Sequence, residues 1–268
     1  MGFSSLFLAF LSLAIVFPCS AYCADLAELY TSTAITTGTG EKNRKLGFRD
    51  CLDRALVRVS GDPRIPARPE MAAFRERSGD FVASFSYRDR LAGRPIHDEQ
   101  GTYDRPHDLT CHYSPEVLDR LLADLGSRPW LAMRPKLVVF LDVERNGKML
   151  RVVSDDIRDL AMRESFALGS EQLAMRTAFP TRAVASKLKP EDLEFADRLA
   201  EATRLSGGDV PLSGRLRWSD PDLGWVATWH LDFEGHRYDW TVRGVNFDEA
   251  FRVALRGSTQ ILSGNGAP

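Results

Sequence analysis

Apolar positions along this chain follow two periods, one of about 3.6 residues and one of two, and the periods alternate. Tyr30 to Thr36 is a run of β-branched and small residues that predicts a strand, ended by the glycines of Thr37-Gly38-Thr39-Gly40. Over 41–59 the period becomes helical: Phe48, Leu52, Ala55, Leu56 and Val59 fall on one face, with Cys51 at its edge. Ser60-Gly61-Asp62-Pro63 stops that helix, and a short one follows near 69–77. Phe81, Ala83, Phe85 and Tyr87 alternate, which predicts a strand over 80–90. Residues 92–107 are polar and rich in Gly, Pro, Asp and His, as a loop is. Leu109, Cys111 and Tyr113 alternate on a short strand. Ser114 then caps a helix, Pro115 takes its first position, and Gly126 ends it. The stripe of that helix is Val117, Leu118, Leu121, Leu122 and Leu125.

The second half reads the same way with longer strands. Leu137 to Val143 is almost unbroken apolar sequence, as in a central strand buried on both faces. Asn146-Gly147 is a hairpin signal, and 150–153 returns as the partner strand. Ser154 is expected to cap a helix with Asp155 and Asp156 in its first turn, where negative charge suits the helix dipole. A short strand is expected near 172–179. One helix should run from Lys189-Pro190 to Gly207-Gly208. Leu212, Gly214, Leu216 and Trp218 then alternate, as do Trp225, Ala227, Trp229, Leu231 and Phe233, and Tyr238, Trp240 and Val242. This is an antiparallel meander. Asn246 and Glu249 open a last helix whose Phe251, Ala254, Leu255, Ile261 and Leu262 cover the sheet. The fold expected is α+β, with two packed α/β units over 25–128 and 129–268, the second a meander covered by a C-terminal helix.

The first 24 residues belong to neither unit. Residues 6–17 read LFLAFLSLAIVF, with Ser12 the one polar residue. That is too short to span a bilayer and suits the apolar region of a secretory signal peptide, with cleavage after Ala21 or Ala24. Retention as an anchor is the alternative, since no Lys or Arg precedes the apolar run. No other apolar run approaches membrane length, so no stable span is expected after cleavage. The expected location is the periplasm or outside the cell. Of 268 residues 44% are apolar, enough for a full core, and 35 basic against 37 acidic residues argue against a dedicated nucleic-acid binder.

Three segments carry a family resemblance: LVRVSGD at 56–62, RPWLAMRPKLVVFLDVE at 128–144 and GWVATWHLDFEGHRYDWTVRGVNFDEAF at 224–251. In this order they resemble the exported proteobacterial family of unknown function DUF2066, which implies no catalytic residues. The element order from about 135 onward also resembles the amino-terminal domain of the Tol-system translocation protein. That resemblance implies protein binding, by analogy of fold alone.

Candidate chemistry is sparse. Thr37-Gly38-Thr39-Gly40 lacks the Lys-Ser/Thr of a phosphate loop, and no Gly-x-Ser-x-Gly elbow occurs. His97, Asp98, Glu99, Asp104, His107 and His112 crowd into one stretch and offer metal ligands, but in a loop without a register to aim them. His230 and His236 are expected on the exposed side or turn of the tail hairpin, where they could approach each other. Asp155, Asp156 and Asp159 are expected as caps rather than paired acids. Trp225, Trp229, Phe233, Tyr238 and Trp240 are expected as core, and Trp218 and Trp130 as the exposed tryptophans. Cys51 and Cys111 are candidates for a disulfide between a helix face and a sheet face, with two buried free thiols as the alternative. No cofactor is expected. The role expected is a non-catalytic envelope accessory or protein-binding module whose partner is another envelope protein. The alternatives are a hydrolase or metal-dependent enzyme built from the 97–112 cluster, and a small-ligand carrier with its pocket between the units.

Overall fold

A computed structural model describes residues 27–93, 105–145 and 147–268. The chain is α+β, with an antiparallel meander covered by the C-terminal helix. A three-stranded antiparallel sheet in the order β1–β3–β2 is built from β1 (Thr31–Thr37), β2 (Val82–Asp89) and β3 (Pro106–Tyr113). Helix α1 (Glu41–Ser60) lies across one face of it. Leu52, Ala55, Leu56 and Val59 are fully buried against Ala34, Leu109 and Cys111, so the period seen in the sequence is the face that packs. Gly61 ends α1 in the left-handed conformation, φ 72°, donating to the Val57 carbonyl. After the short α2 (Met71–Glu76), α3 (Pro115–Asp124) adds Leu118, Leu121 and Leu122 to this core.

Cys51 and Cys111 are joined in a disulfide across this helix–sheet interface, with Cα atoms 6.3 Å apart and 60 residues between them in sequence. Phe85 shares the face of Cys111 yet is 43% exposed, because β2 is an edge strand: the rings of Phe48 and Tyr87 and, at 5.6 Å, the Arg44 guanidinium cover it only in part. Ser114 does not cap α3 with its side chain; its hydroxyl turns to Glu116 instead.

The second sheet runs β5–β4–β7–β8–β9, with β6 also beside β4. Its strands are β4 (Lys136–Arg145), β5 (Lys148–Arg151), β6 (Arg176–Ala178), β7 (Val210–Ser219), β8 (Gly224–Phe233) and β9 (His236–Val245). β4 is central, parallel to β6 and β7, and Leu137 to Leu141 are all fully buried. One face packs on α4 (Leu160–Gln172) and α7 (Phe247–Leu262), where Phe166 meets Trp229, Phe179 and Phe251 at ring-centroid distances of 5.9, 5.5 and 4.3 Å. Gly214 on β7 makes room for Trp229, since a Cβ there would stand 2.1 Å from the indole. The other face packs on α5 (Arg182–Ala185), a 3-10 turn at Pro190–Glu194 and α6 (Ala196–Leu205), around Val138, Phe140, Leu193 and Leu199. No helix among the described residues is long and apolar enough to cross a membrane.

Two helix boundaries differ from the pattern. Ser154 is not a cap: the chain stays irregular to a 3-10 turn at Ile157–Asp159, capped by Asp156, and α4 starts at Leu160. The expected helix from Lys189 breaks at Phe195, whose backbone is extended (φ −133°, ψ 111°), so a 3-10 turn and α6 replace it. The expected strand near 172–179 shrinks to the three residues of β6.

The end of α1, the 130–134 segment and the end of α7 meet at one junction. The Trp130 amide donates to the Val59 carbonyl at 2.8 Å, and Arg134 donates to the carbonyls of Arg58 (2.7 Å) and Leu173 (2.6 Å). Arg134 stacks over Trp130 at 4.4 Å, so Trp130 is half-buried rather than the exposed residue expected. Burial, and then the charge of Arg58, push the Arg134 guanidinium down to about 10, still charged at neutral pH. Buried Asp62 takes Arg64 (2.8 Å) and Arg68 (3.1 Å), and Arg64 reaches on to the Asn265 carbonyl at 2.8 Å. Burial raises the Asp62 carboxyl. The side-chain and backbone bonds from Arg64, with the charges of Arg64 and Arg68, outweigh it and hold the group below its ordinary value.

Candidate functional site

The side chains with the most chemistry lie on the α6 side of the meander. β8 and β9 pair in antiparallel register with His230 opposite Asp239, Asp232 opposite Arg237 and Phe233 opposite His236. Facing pairs on an antiparallel ladder project to the same side, so His230, Asp239, Asp232 and Arg237 gather on one face while Phe233 and His236 share the other with Trp229 and Leu231. The two-residue turn is Glu234-Gly235, with φ of 50° and 77°. Positive φ at both positions matches the twist of a hairpin and comes easily to glycine alone.

His230 is 8% exposed and bonded at both nitrogens. Its Nδ1 lies 3.1 Å from Asp239 Oδ1 and its Nε2 3.0 Å from Asp232 Oδ2. Arg237 donates to Asp239 through Nε (2.9 Å) and to the Glu194 carbonyl through Nη1 (2.8 Å), linking hairpin to 3-10 turn. The Arg237 bond foremost, then the charges of Arg237 and His230, hold the Asp239 carboxyl below its ordinary value. The bond to Asp239 in turn raises Arg237.

Between the hairpin tip and the start of α6 lies an open groove of about 410 Å³, lined by Glu194, Phe195, Asp197, Asp232, Phe233, Glu234, Gly235 and Arg237. Four of these are carboxylates. The one cation, Arg237, is already committed to Asp239. Phe195 is 48% exposed, and the Arg198 guanidinium stands 4.7 Å from its ring centroid, so that ring already takes one cation. Nearby carboxylates and aromatic faces favour a cationic ligand. Both nitrogens of His230 are turned to carboxylates and neither faces the groove, so the ring is not aimed at a bound substrate in this arrangement.

The residues singled out in the sequence go elsewhere. His97, Asp98, Glu99 and Asp104 lie outside the described residues. His107 bonds the Arg105 carbonyl (2.7 Å) and His112 the Thr31 hydroxyl (3.0 Å); five residues apart on β3, they point to opposite faces. Among the described residues no group of three or more His, Cys, Asp or Glu is placed to hold a metal. Asp155 accepts the Arg182 amide (2.8 Å), Asp156 the Arg158 amide (2.9 Å) and Asp159 the Val153 amide (2.9 Å), so each organises backbone. Trp229 and Trp240 are buried beneath α7, and Trp218 is 51% exposed, donating to Asp220 at 2.8 Å. His230 is buried, not exposed as expected. It bonds carboxylates and does not meet His236, which bonds the Glu234 carbonyl at the turn. Glu194, Phe195 and Asp197 went unnoticed because the pattern hid them inside one long helix.

A family model described as Domain of unknown function (DUF8605) matches residues 24–131. That stretch spans the three-stranded sheet with α1 to α3 and Trp130 of the junction, and ends before the groove. It is a different family from the one that 56–62, 128–144 and 224–251 resemble, and its match says nothing about that resemblance. No curated protein and no solved structure matches the chain.

Proposed function

We propose that the protein is an exported accessory of the cell envelope that acts by binding another protein, taking a basic segment of that partner into the groove at 194–197 and 232–237. The observation that carries this reading is the lining: four carboxylates and two phenylalanines, with the single cation already paired. Export is supported by the signal-like residues 6–17 and by a disulfide, which suits an oxidising compartment.

The test compares a lysine-rich peptide with an acidic peptide of equal length, titrated into the mature protein at several salt concentrations. The basic peptide should bind, weaken with salt, and lose affinity about tenfold on Glu194→Lys with Asp197→Lys, as expected for exposed charges in a shared site. Equal binding of both peptides overturns the reading. For export, mass spectrometry of the native protein should find Tyr22 or Asp25 at its start. An intact Met1 in the membrane fraction overturns that part.

A further inference from the structure

Behind Asp232 of the groove lining lies the buried imidazole of His230, with a carboxylate on each nitrogen, Asp232 on one and Asp239 on the other. A neutral imidazole has one N–H and can donate to one carboxylate; the imidazolium donates to both. We propose that His230 is a proton switch that sets the charge of the groove and hence its affinity for cations. The inference rests on the groove being the binding site.

With His230 charged, the cluster of His230, Arg237, Asp232 and Asp239 holds two cations and two anions and sums to zero. When the ring gives up a proton, from either nitrogen, one carboxylate loses its donor and the sum becomes minus one. The half-buried carboxylate of Asp232 carries that charge to the groove, with exposed Asp239 beside it, since the ring itself is buried. The other groups packed around the ring are Ser213, opposite it on β7, and Arg215 two residues further along that strand. Across the groove stand Glu194 and Asp197, and at the hairpin tip Glu234 and His236. Carboxyl and guanidinium groups ordinarily keep one charge between about pH 5 and 8, whereas imidazoles change theirs there. Two groups near the groove therefore qualify, His230 and the exposed His236, and the experiment must separate them.

The probe is a poly-lysine peptide with its amino terminus blocked by the fluorescent label, so that only lysine side chains, charged throughout this range, carry its positive charge; it is titrated into the mature protein at about pH 5.5 and about pH 8 at fixed ionic strength. Wild type and His236→Gln should both bind about fivefold more tightly at the higher pH, the effect of one added charge at the groove wall. His230→Gln should bind equally at both. If that variant does not fold, nitrogen-15 spectra of the wild-type histidine rings decide: peptide affinity should follow the titration of the His230 ring. Equal wild-type affinity at both pH values, or loss of the dependence in His236→Gln, overturns the switch and leaves the groove reading standing. No binding at either pH overturns both.

Discussion

The two sheets of this chain are stabilised by different means. The three-stranded sheet is covered by α1 and α3 on one face, while Thr33, Ile35, Ser84, Ser86 and His112 look out from the other. Its core is built mainly of Leu, Ala, Val and Tyr side chains, and a disulfide ties its helix to its middle strand. The six-stranded sheet has helices on both faces and an aromatic centre of Phe166, Trp229 and Phe251, with no disulfide among its described residues. A sheet covered on one side buries less apolar surface per residue, and a covalent tether that restricts the unfolded chain offsets the difference.

The largest expected effect tests the aromatic side of that contrast. Trp229→Ala should cost about 5 kcal/mol, the upper end for a buried tryptophan, because Gly214 and the two phenylalanines cannot close over the space. Denaturant unfolding followed by circular dichroism measures it, and a loss below about 2 kcal/mol would mean the aromatic centre is not what stabilises the sheet.

Next is the tether. Removing it with Cys51→Ala and Cys111→Ala should cost about 4 kcal/mol by loop entropy. All five tryptophans lie at 130 or later, so their fluorescence reports the second sheet and the junction. In the double variant the circular dichroism transition should begin at lower denaturant than the fluorescence transition. Coincident transitions would show that the two sheets unfold as one and that the contrast has no energetic meaning.

The junction comes third, at about 2 kcal/mol for the charge-assisted bonds of Asp62. Its carboxyl is lower in the folded protein than in the unfolded chain. The unfolded state therefore binds more protons, and the contribution is present above about pH 4 and lost as pH falls through the folded value. Asp62→Asn should be destabilised at neutral pH, and its deficit relative to wild type should shrink in acid. A deficit that stays constant down to acid pH would place the cost outside ionisation. The smallest effect is the cap of α7: Asn246 accepts the Glu249 amide at 2.8 Å, and Asn246→Ala should cost about 1 kcal/mol, measured by the same unfolding curves.

Much of this architecture was legible in the order of residues. The faces of α1 and α3, the burial of 137–141, the meander and the cap of α7 follow from period and from residues whose local preference agrees with their packing. The misreadings are equally specific. Phe85 alternates like a core residue but sits on an edge strand that Phe48 and Arg44 of α1 cover only in part, and exposure depends on neighbours that alternation does not name. Ser154 has the chemistry of a cap, yet Asp159 takes the Val153 amide and Asp156 the Arg158 amide, which delays the helix by one 3-10 turn.

The groove lay furthest from view. Glu194 and Asp197 are about forty residues from Asp232 and Arg237, and what joins them is the helix break at Phe195 and one bond from Arg237 to a backbone carbonyl. Alternation puts His230 on the polar side of its strand, but its burial there, 8% exposed between Asp232 and Asp239, depends on neighbours that alternation does not name. Local sequence thus determined the elements, their inward faces and the α+β class, because periodicity and turn chemistry act within a few residues. Whether Cys51 and Cys111 bond or stay free thiols, the burial of His230 and the site where carboxylates converge were decided by tertiary structure alone. Each depends on contacts between distant segments, whose free energy is set by how whole faces fit rather than by any run of neighbours in the chain.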